Sequence, residues 1–235
     1  MKVKILFDKE ALDQRFAAGW GVSYLVGEEV LFDAGEKFEH LEKNAHVMGA
    51  RLDRIKHVVI SHDHWDHTGG LWEILRLNPQ AAVYVCVNAD PEFRARVAAA
   101  SPRLVDVKDR CRITGAIYSS GECRVSYKGK VVAEQSLVVE RDQAVSILCG
   151  CCHPGLVNII EKVRHTTSKS VDCVIGGMHM MEIDKRFIAY IAAEAIKNVK
   201  RIGPAHCSGQ EAARIFQEVY GKNFIEVKAG MEIEI

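Results

Sequence analysis

The chain has 235 residues, enough to bury a full core as one unit, so a single domain spanning residues 1–235 is expected. Lys and Arg together number 31 and so do Asp and Glu, leaving no net field to favour nucleic acid, an anionic membrane or an acidic partner. No apolar stretch reaches membrane-spanning length, and Met1–Phe7 reads as a strand rather than an export signal, so a cytoplasmic protein is expected. The eight cysteines of such a chain are expected to be reduced, most of them buried apolar groups.

Strand-like runs open the chain at Val3–Phe7, Val22–Val26 and Val30–Phe32. Phe38, Leu41, Ala45 and Met48 fall at helical spacing and predict a helix over Glu36–Met48, closed by Gly49. A strand over His57–Ser61 follows, then a helix over Gly70–Leu77 that stops before Pro79, then a strand over Ala82–Val87. Pro91–Arg112 reads as a charged helix-like piece running into a Pro- and Asp-containing connection. Ile113–Val139 reads as hairpins broken at Gly115, Gly121 and Gly129. Strands over Ala144–Cys149, Val171–Gly176 and Arg201–Pro204 then alternate with helices over Leu156–Thr166, Asp184–Asn198 and Gly209–Tyr220. Ser208 and Glu211 are spaced to cap the last helix, and Gly221 to stop it. Strand-rich halves with helices outside them predict a layered α/β sandwich.

The densest chemistry is His62-Asp63-His64-Trp65-Asp66-His67, directly after an apolar strand. Neutral imidazoles and a carboxylate suit zinc, iron or manganese and leave coordination positions open to water. A charged surface turn would be the bland reading, but histidine is uncommon and this spacing after a strand favours a metal. Asp33, His153, His179 and His206 each follow a strand-like run as well. One strand-end histidine alone reads as structural; four such groups beside the first cluster read as a convergent site. His40 and His46 read as solvated, and the Arg94–Arg112 basic residues interleave with acids as a solvated face. Trp20 and Trp65 read equally as pocket edge or as packing.

These residues, in Asp33-Ala34-Gly35, Ser61–Gly70, Gly150–Asn158, Gly176–His179 and Pro204–Gly209, resemble the metallo-β-lactamase superfamily. The last three motifs look like its branch described as dihydropteroate-synthase-like, after a methanopterin-pathway pterin synthase. The resemblance implies a four-layer αββα sandwich with two divalent ions at one edge, zinc first, with manganese or iron as alternatives. It implies that His62, His64 and His153 hold one ion. Asp66, His67 and His206 hold the other, with Asp33 orienting a ligand histidine from behind. The chain departs from the superfamily in lacking its usual metal-bridging Asp, because Asp172 precedes its strand rather than ending it. Cys151, Cys152, Cys207 and His179 are the groups left to fill that role, and a weak second site is the other outcome.

The implied activity is hydrolysis of a small anionic or heterocyclic molecule, such as a phosphoester or lactone, by metal-activated water. Asp66 would orient that water and His179 would serve as acid or oxyanion donor. One alternative is a pterin-related synthase performing a metal-assisted condensation. Another is an iron- or thiol-based redox or sensing protein, since Cys151-Cys152 adjoin His153 and Cys207 adjoins His206. Neutral charge speaks against a nuclease, and the absent export signal against a β-lactamase.

Overall fold

Alternation of side chains along short β-branched strands decides the layering. In a computed structural model describing residues 1–235, Val30 and Phe32 point between two sheets while Leu31 points outward to helices. The first sheet contains β1 (Lys2–Phe7), β2 (Ser23–Val26), β3 (Val30–Phe32), β4 (His57–Val59), β5 (Ala82–Cys86) and β6 (Leu104–Val107). The second contains β7 (Cys111–Thr114) and β8 (Ile117–Ser119), and β9 (Cys123–Tyr127) with β10 (Lys130–Glu134) forms a separate hairpin. The second sheet then continues through β11 (Leu137–Glu140), β12 (Ala144–Cys149), β13 (Ser170–Gly177) and β14 (Val199–Ala205). A last strand, β15 (Glu232–Glu234), returns to the first sheet antiparallel to β1. Strand pairing is parallel from β3 to β6 and from β12 to β14, so successive strands there end at the same edge.

Helices α1 (Phe38–Val47), α2 (Trp65–Thr68), α3 (Leu71–Leu77) and α4 (Pro91–Ala100) belong to the first half. Leu41, Leu71, Ile74 and Val97 bury their faces against Leu31, Val58 and Val83 of the first sheet. Helices α5 (Leu156–Thr167), α6 (Lys185–Ala195) and α7 (Gln210–Tyr220) cover the second through Ile159, Val163, Ile188 and Phe216. Tyr24, Phe32, Val59, Leu137, Leu148 and Ile175 fill the space between the sheets, completing an αββα sandwich.

Three local readings change. The segment Trp65–Thr68 inside the histidine motif, where no helix is predicted, is one helical turn, which turns Asp66 and His67 inward. The connection after α4 contains β6, an edge strand whose exposed face left no alternating signal. Ser208 does not cap α7; the cap position is Gly209, and Ser208 Oγ accepts the Met178 N–H at 3.0 Å.

A buried polar segment fastens the two sheets close to the strand ends. Gln135 Nε2 donates to the carbonyls of Ile60 and Tyr84 at 2.8 and 3.1 Å, its Oε1 accepts from Ser119 Oγ at 2.6 Å, and its N–H donates to the Ser61 carbonyl at 2.9 Å. Such bonds leave no buried polar group of this side chain unmatched.

Candidate metal centre

Four strand ends deliver their residues through unusual backbone. Asp33, Cys152, His179 and His206 have φ of 56°, 57°, 50° and 47°, a region costing about 1–3 kcal/mol for a residue with a side chain. Close approach of the two halves requires glycine at Gly150, where a Cβ would lie 2.1 Å from Ser61 Oγ. Within the first half, the histidine motif packs as closely on Gly21, with φ 113°, where a Cβ would lie 1.8 Å from the Asp66 carbonyl oxygen.

Six of the sequence-predicted residues come together as two triads. The ligand atoms of His62, His64 and His153 lie within 4.8 Å of one another, as do those of Asp66, His67 and His206. His62 Nε2 and His64 Nδ1 are 3.0 Å apart, and Asp66 Oδ2 lies 3.2 Å from His206 Nε2 and 3.6 Å from His67 Nε2. Bonds of about 2.0–2.2 Å to a tetrahedral ion separate its ligands by about 3.3–3.6 Å, so this donor set fits a divalent metal. Asp63, within the same motif, faces away and accepts the Asp90 N–H.

Asp33 prepares one histidine of each triad. It is fully buried; its Oδ1 accepts the Ser61 N–H at 2.6 Å, and its Oδ2 accepts Ser61 Oγ–H and His67 Nδ1–H, both at 2.7 Å. Ser61 Oγ in turn accepts His62 Nδ1–H at 2.9 Å. In the neutral rings both protons are thus held on Nδ1, leaving Nε2 of His62 and His67 bare. Burial lowers the pKa of His67, but Asp33 and then Asp66 outweigh it and raise it to about 9. Burial raises the pKa of Asp33 even against the His67 imidazole. Burial also opposes ionisation of Asp66, yet His206 and His67 hold that carboxyl down at about 2. His206 is held differently: the Gly21 N–H donates to its Nδ1 at 3.1 Å, and its Nε2, 3.2 Å from Asp66 Oδ2, is buried with no hydrogen-bond partner.

His153 is oriented by a residue that sequence reasoning missed. Glu134, at the end of β10, is fully buried and accepts the N–H groups of Cys151, Cys152 and His153 at 2.9, 2.7 and 2.8 Å. Its Oε2 also accepts His153 Nδ1–H at 2.9 Å, leaving Nε2 for the triad. Burial disfavours its charge, but His153 and these N–H groups keep its pKa below the ordinary value. The only hint in the sequence is the polar trio Glu134-Gln135-Ser136 between two β-prone runs.

The remaining predicted residues divide. His179 joins neither triad: its Nε2 lies 3.1 Å from Tyr127 Oη, and its backbone N–H donates to Cys207 Sγ at 3.3 Å. The Cys207 sulfur raises the His179 pKa despite partial burial. Cys151 Sγ lies 3.3 Å from both His67 Nε2 and Cys207 Sγ. Cys152 turns its side chain into the core beneath the second sheet, and only its N–H, donated to Glu134, bears on the site. Asp172, near the start of β13, pairs with Arg201 and Lys200 away from the site.

Above the triads opens a cavity of about 690 Å³. Trp20, Trp65, Tyr127, Met181 and Ile183 supply its apolar wall, and Lys128 and Glu182 its charged rim. Trp20 packs edge-on against His206 with ring centroids 4.7 Å apart, while Trp65 is 63% exposed at the mouth, so both tryptophans border the pocket. A hollow of about 790 Å³ along α5 is lined by no hydrophobic residue and by none of these groups.

Two packed sheets flanked by helices, with the candidate centre at one edge, define the metallo-β-lactamase fold, and residues 28–121 match the Beta-lactamase superfamily domain. The crystal structure of Tm1679, a metal-dependent hydrolase of the beta-lactamase superfamily, is similar to this chain with a TM-score of 0.80 at 24% identity, covering 100% of this chain and 99% of the other. YhfI of Bacillus subtilis, a metallo-beta-lactamase fold protein, is similar with a TM-score of 0.67 at 14% identity, covering 99% of each chain. Among curated proteins, the chain is 26% identical to the 7,8-dihydropterin-6-methyl-4-(beta-D-ribofuranosyl)-aminobenzene-5'-phosphate synthase of Methanocaldococcus jannaschii, over 97% of this chain and 94% of the relative. No helix is long and apolar enough to cross a membrane.

Proposed function

We propose that the protein is a metal-dependent enzyme acting on a small molecule, and that the reaction is hydrolysis of an anionic or heterocyclic substrate such as a phosphoester or lactone. The observation that carries this reading is the pair of triads, His62–His64–His153 and Asp66–His67–His206, side by side beneath one cavity. These residues would hold two divalent ions, zinc first. Bound there, such ions supply Lewis acidity and acidify water toward neutral pH.

The protein's own groups do the rest. Asp66, ionised at neutral pH, orients a water molecule through the oxygen not engaged by His206. His179 faces the cavity and donates a proton to a leaving group or a hydrogen bond to developing negative charge, with Tyr127 fixing its ring. Lys128, at the hairpin tip beside Tyr127, attracts an anionic substituent. The aromatic wall excludes water from the other face.

A synthase that condenses a pterin with an aminobenzene derivative is the second reading. The Methanocaldococcus jannaschii relative favours it, and so does the wall of Trp20, Trp65 and Tyr127, which offers faces and edges to a planar heterocycle. A thiol-based redox role has less support, because Cys151 and Cys207 are buried.

Elemental analysis of protein purified without chelator tests the central reading. Two zinc ions per chain are expected, falling to one in His206→Ala; no bound metal in either protein overturns it. A screen of phosphoesters, lactones and pterins on the loaded protein then separates hydrolase from synthase.

A further inference from the structure

One buried nucleophile beside the triads has no part in either. Cys151 lies two residues beyond β12 and two before His153, and its N–H is pinned by Glu134. Its Sγ, the Nε2 of His67 and the ligand nitrogen of His62 all lie within 4.8 Å of one another. The sulfur therefore faces one ligand nitrogen from each triad. Charge points the same way. Five histidines and the single carboxylate Asp66 surround the positions of two dications, while Asp33 and Glu134 stand behind histidines and are occupied with their N–H groups. A second anion in contact with the ions would offset charge that buried neutral ligands leave uncompensated.

We propose that Cys151 is a metal ligand whose thiolate sulfur is shared between an ion at His62–His64–His153 and an ion at Asp66–His67–His206. The proposal rests on the two-ion reading above. Coordination replaces the S–H bond by metal–sulfur bonds, and the proton leaves to solvent. Cys207, 3.3 Å away, is a neighbour able to donate its S–H to that sulfur, and the His179 N–H fixes its position. A sulfur in this place gives the centre a preference for zinc or iron over manganese or magnesium.

Cobalt(II) is the probe. Titrated into metal-free protein, it is expected to bind at two ions per chain and to develop a sulfur-to-cobalt charge-transfer band in the near ultraviolet. That band is lost in Cys151→Ser and kept in Cys152→Ser and Cys207→Ser. Two cobalt ions without the band overturn the sulfur ligand and leave the two-ion reading standing. A band lost in Cys207→Ser but not in Cys151→Ser assigns the ligand to Cys207 and overturns the proposal. Failure to bind cobalt overturns both readings. X-ray absorption at the zinc edge of the loaded wild-type protein needs no variant: a sulfur shell at about 2.3 Å is expected, and nitrogen and oxygen neighbours alone overturn the proposal.

Discussion

Glu134→Gln tests how the centre is held. The carboxylate accepts four donors, two at each oxygen: the N–H groups of Cys151 and Cys152 at Oε1, and the N–H and Nδ1–H of His153 at Oε2. An amide has one acceptor oxygen, so its NH₂ must face one of these pairs. If it faces the cysteines, two buried N–H groups lose their acceptor at about 1–3 kcal/mol each. If it faces His153, one N–H is orphaned and the imidazole moves its proton to Nε2, removing the lone pair that the triad presents. A loss of about 4 kcal/mol in the first case is a large share of the roughly 5–15 kcal/mol that stabilises a domain. It corresponds to a fall in Tm of about 8–16 °C for a chain of this size. Urea unfolding of the metal-free variant measures the first case, and zinc titration by calorimetry the second, where affinity falls about 10–100-fold. A variant within about 0.5 kcal/mol of wild type that also binds zinc normally would refute this account of Glu134.

Three further expectations follow from single residues. Asp33→Asn frees the tautomers of both His62 and His67, so zinc affinity should drop about 10–100-fold at both ions rather than one, as chelator competition would show. His67, with its pKa raised to about 9, holds a proton at neutral pH that a metal must displace. Affinity at the Asp66 triad should therefore rise about tenfold per pH unit up to about 9, with proton release visible in weakly buffered titrations; a flat profile counts against the Asp33–His67 pair. Asp8 is buried with no partner on Oδ2, and burial raises its pKa to about 7. The unfolded chain loses that proton near pH 3.9, so the native state binds more protons between about pH 4 and 7 and stability falls as pH rises across that window. Asp8→Asn should flatten this slope in Tm-versus-pH scans; an unchanged slope places the titration elsewhere.

Much of the architecture was legible because it rests on periodicity. Val30–Phe32 and Ala144–Cys149 were read to the residue, since β-branched runs bounded by turns leave little freedom. The six triad residues were legible for a different reason, each lying in a motif at a strand end. Glu134 was not, because its role is set by three N–H groups from residues 151–153, brought to it by the fold. The same holds for Cys151 against Cys152: adjacent and chemically alike, they point to opposite sides, and only the positive φ at Cys152 separates them. The α2 turn was missed because four residues carry no helical period. Ser208 looked like a cap in sequence, but its hydroxyl oxygen already accepts the N–H of Met178, just past the end of β13.

The bonds of Gln135 to Ile60, Tyr84 and Ser119 give the sandwich unequal tolerances along its length. Between the sheets, contact is dispersive and non-directional, so side chains there can trade volume and slide by fractions of an ångström at small cost. At the fastened end, distance and angle are fixed by donors and acceptors that fail abruptly when displaced. Sequence drift can therefore accumulate through the interior while the edge that presents the histidines stays in register. A sandwich of this kind can lose most of its residue identities and still deliver the same six side chains to the same place.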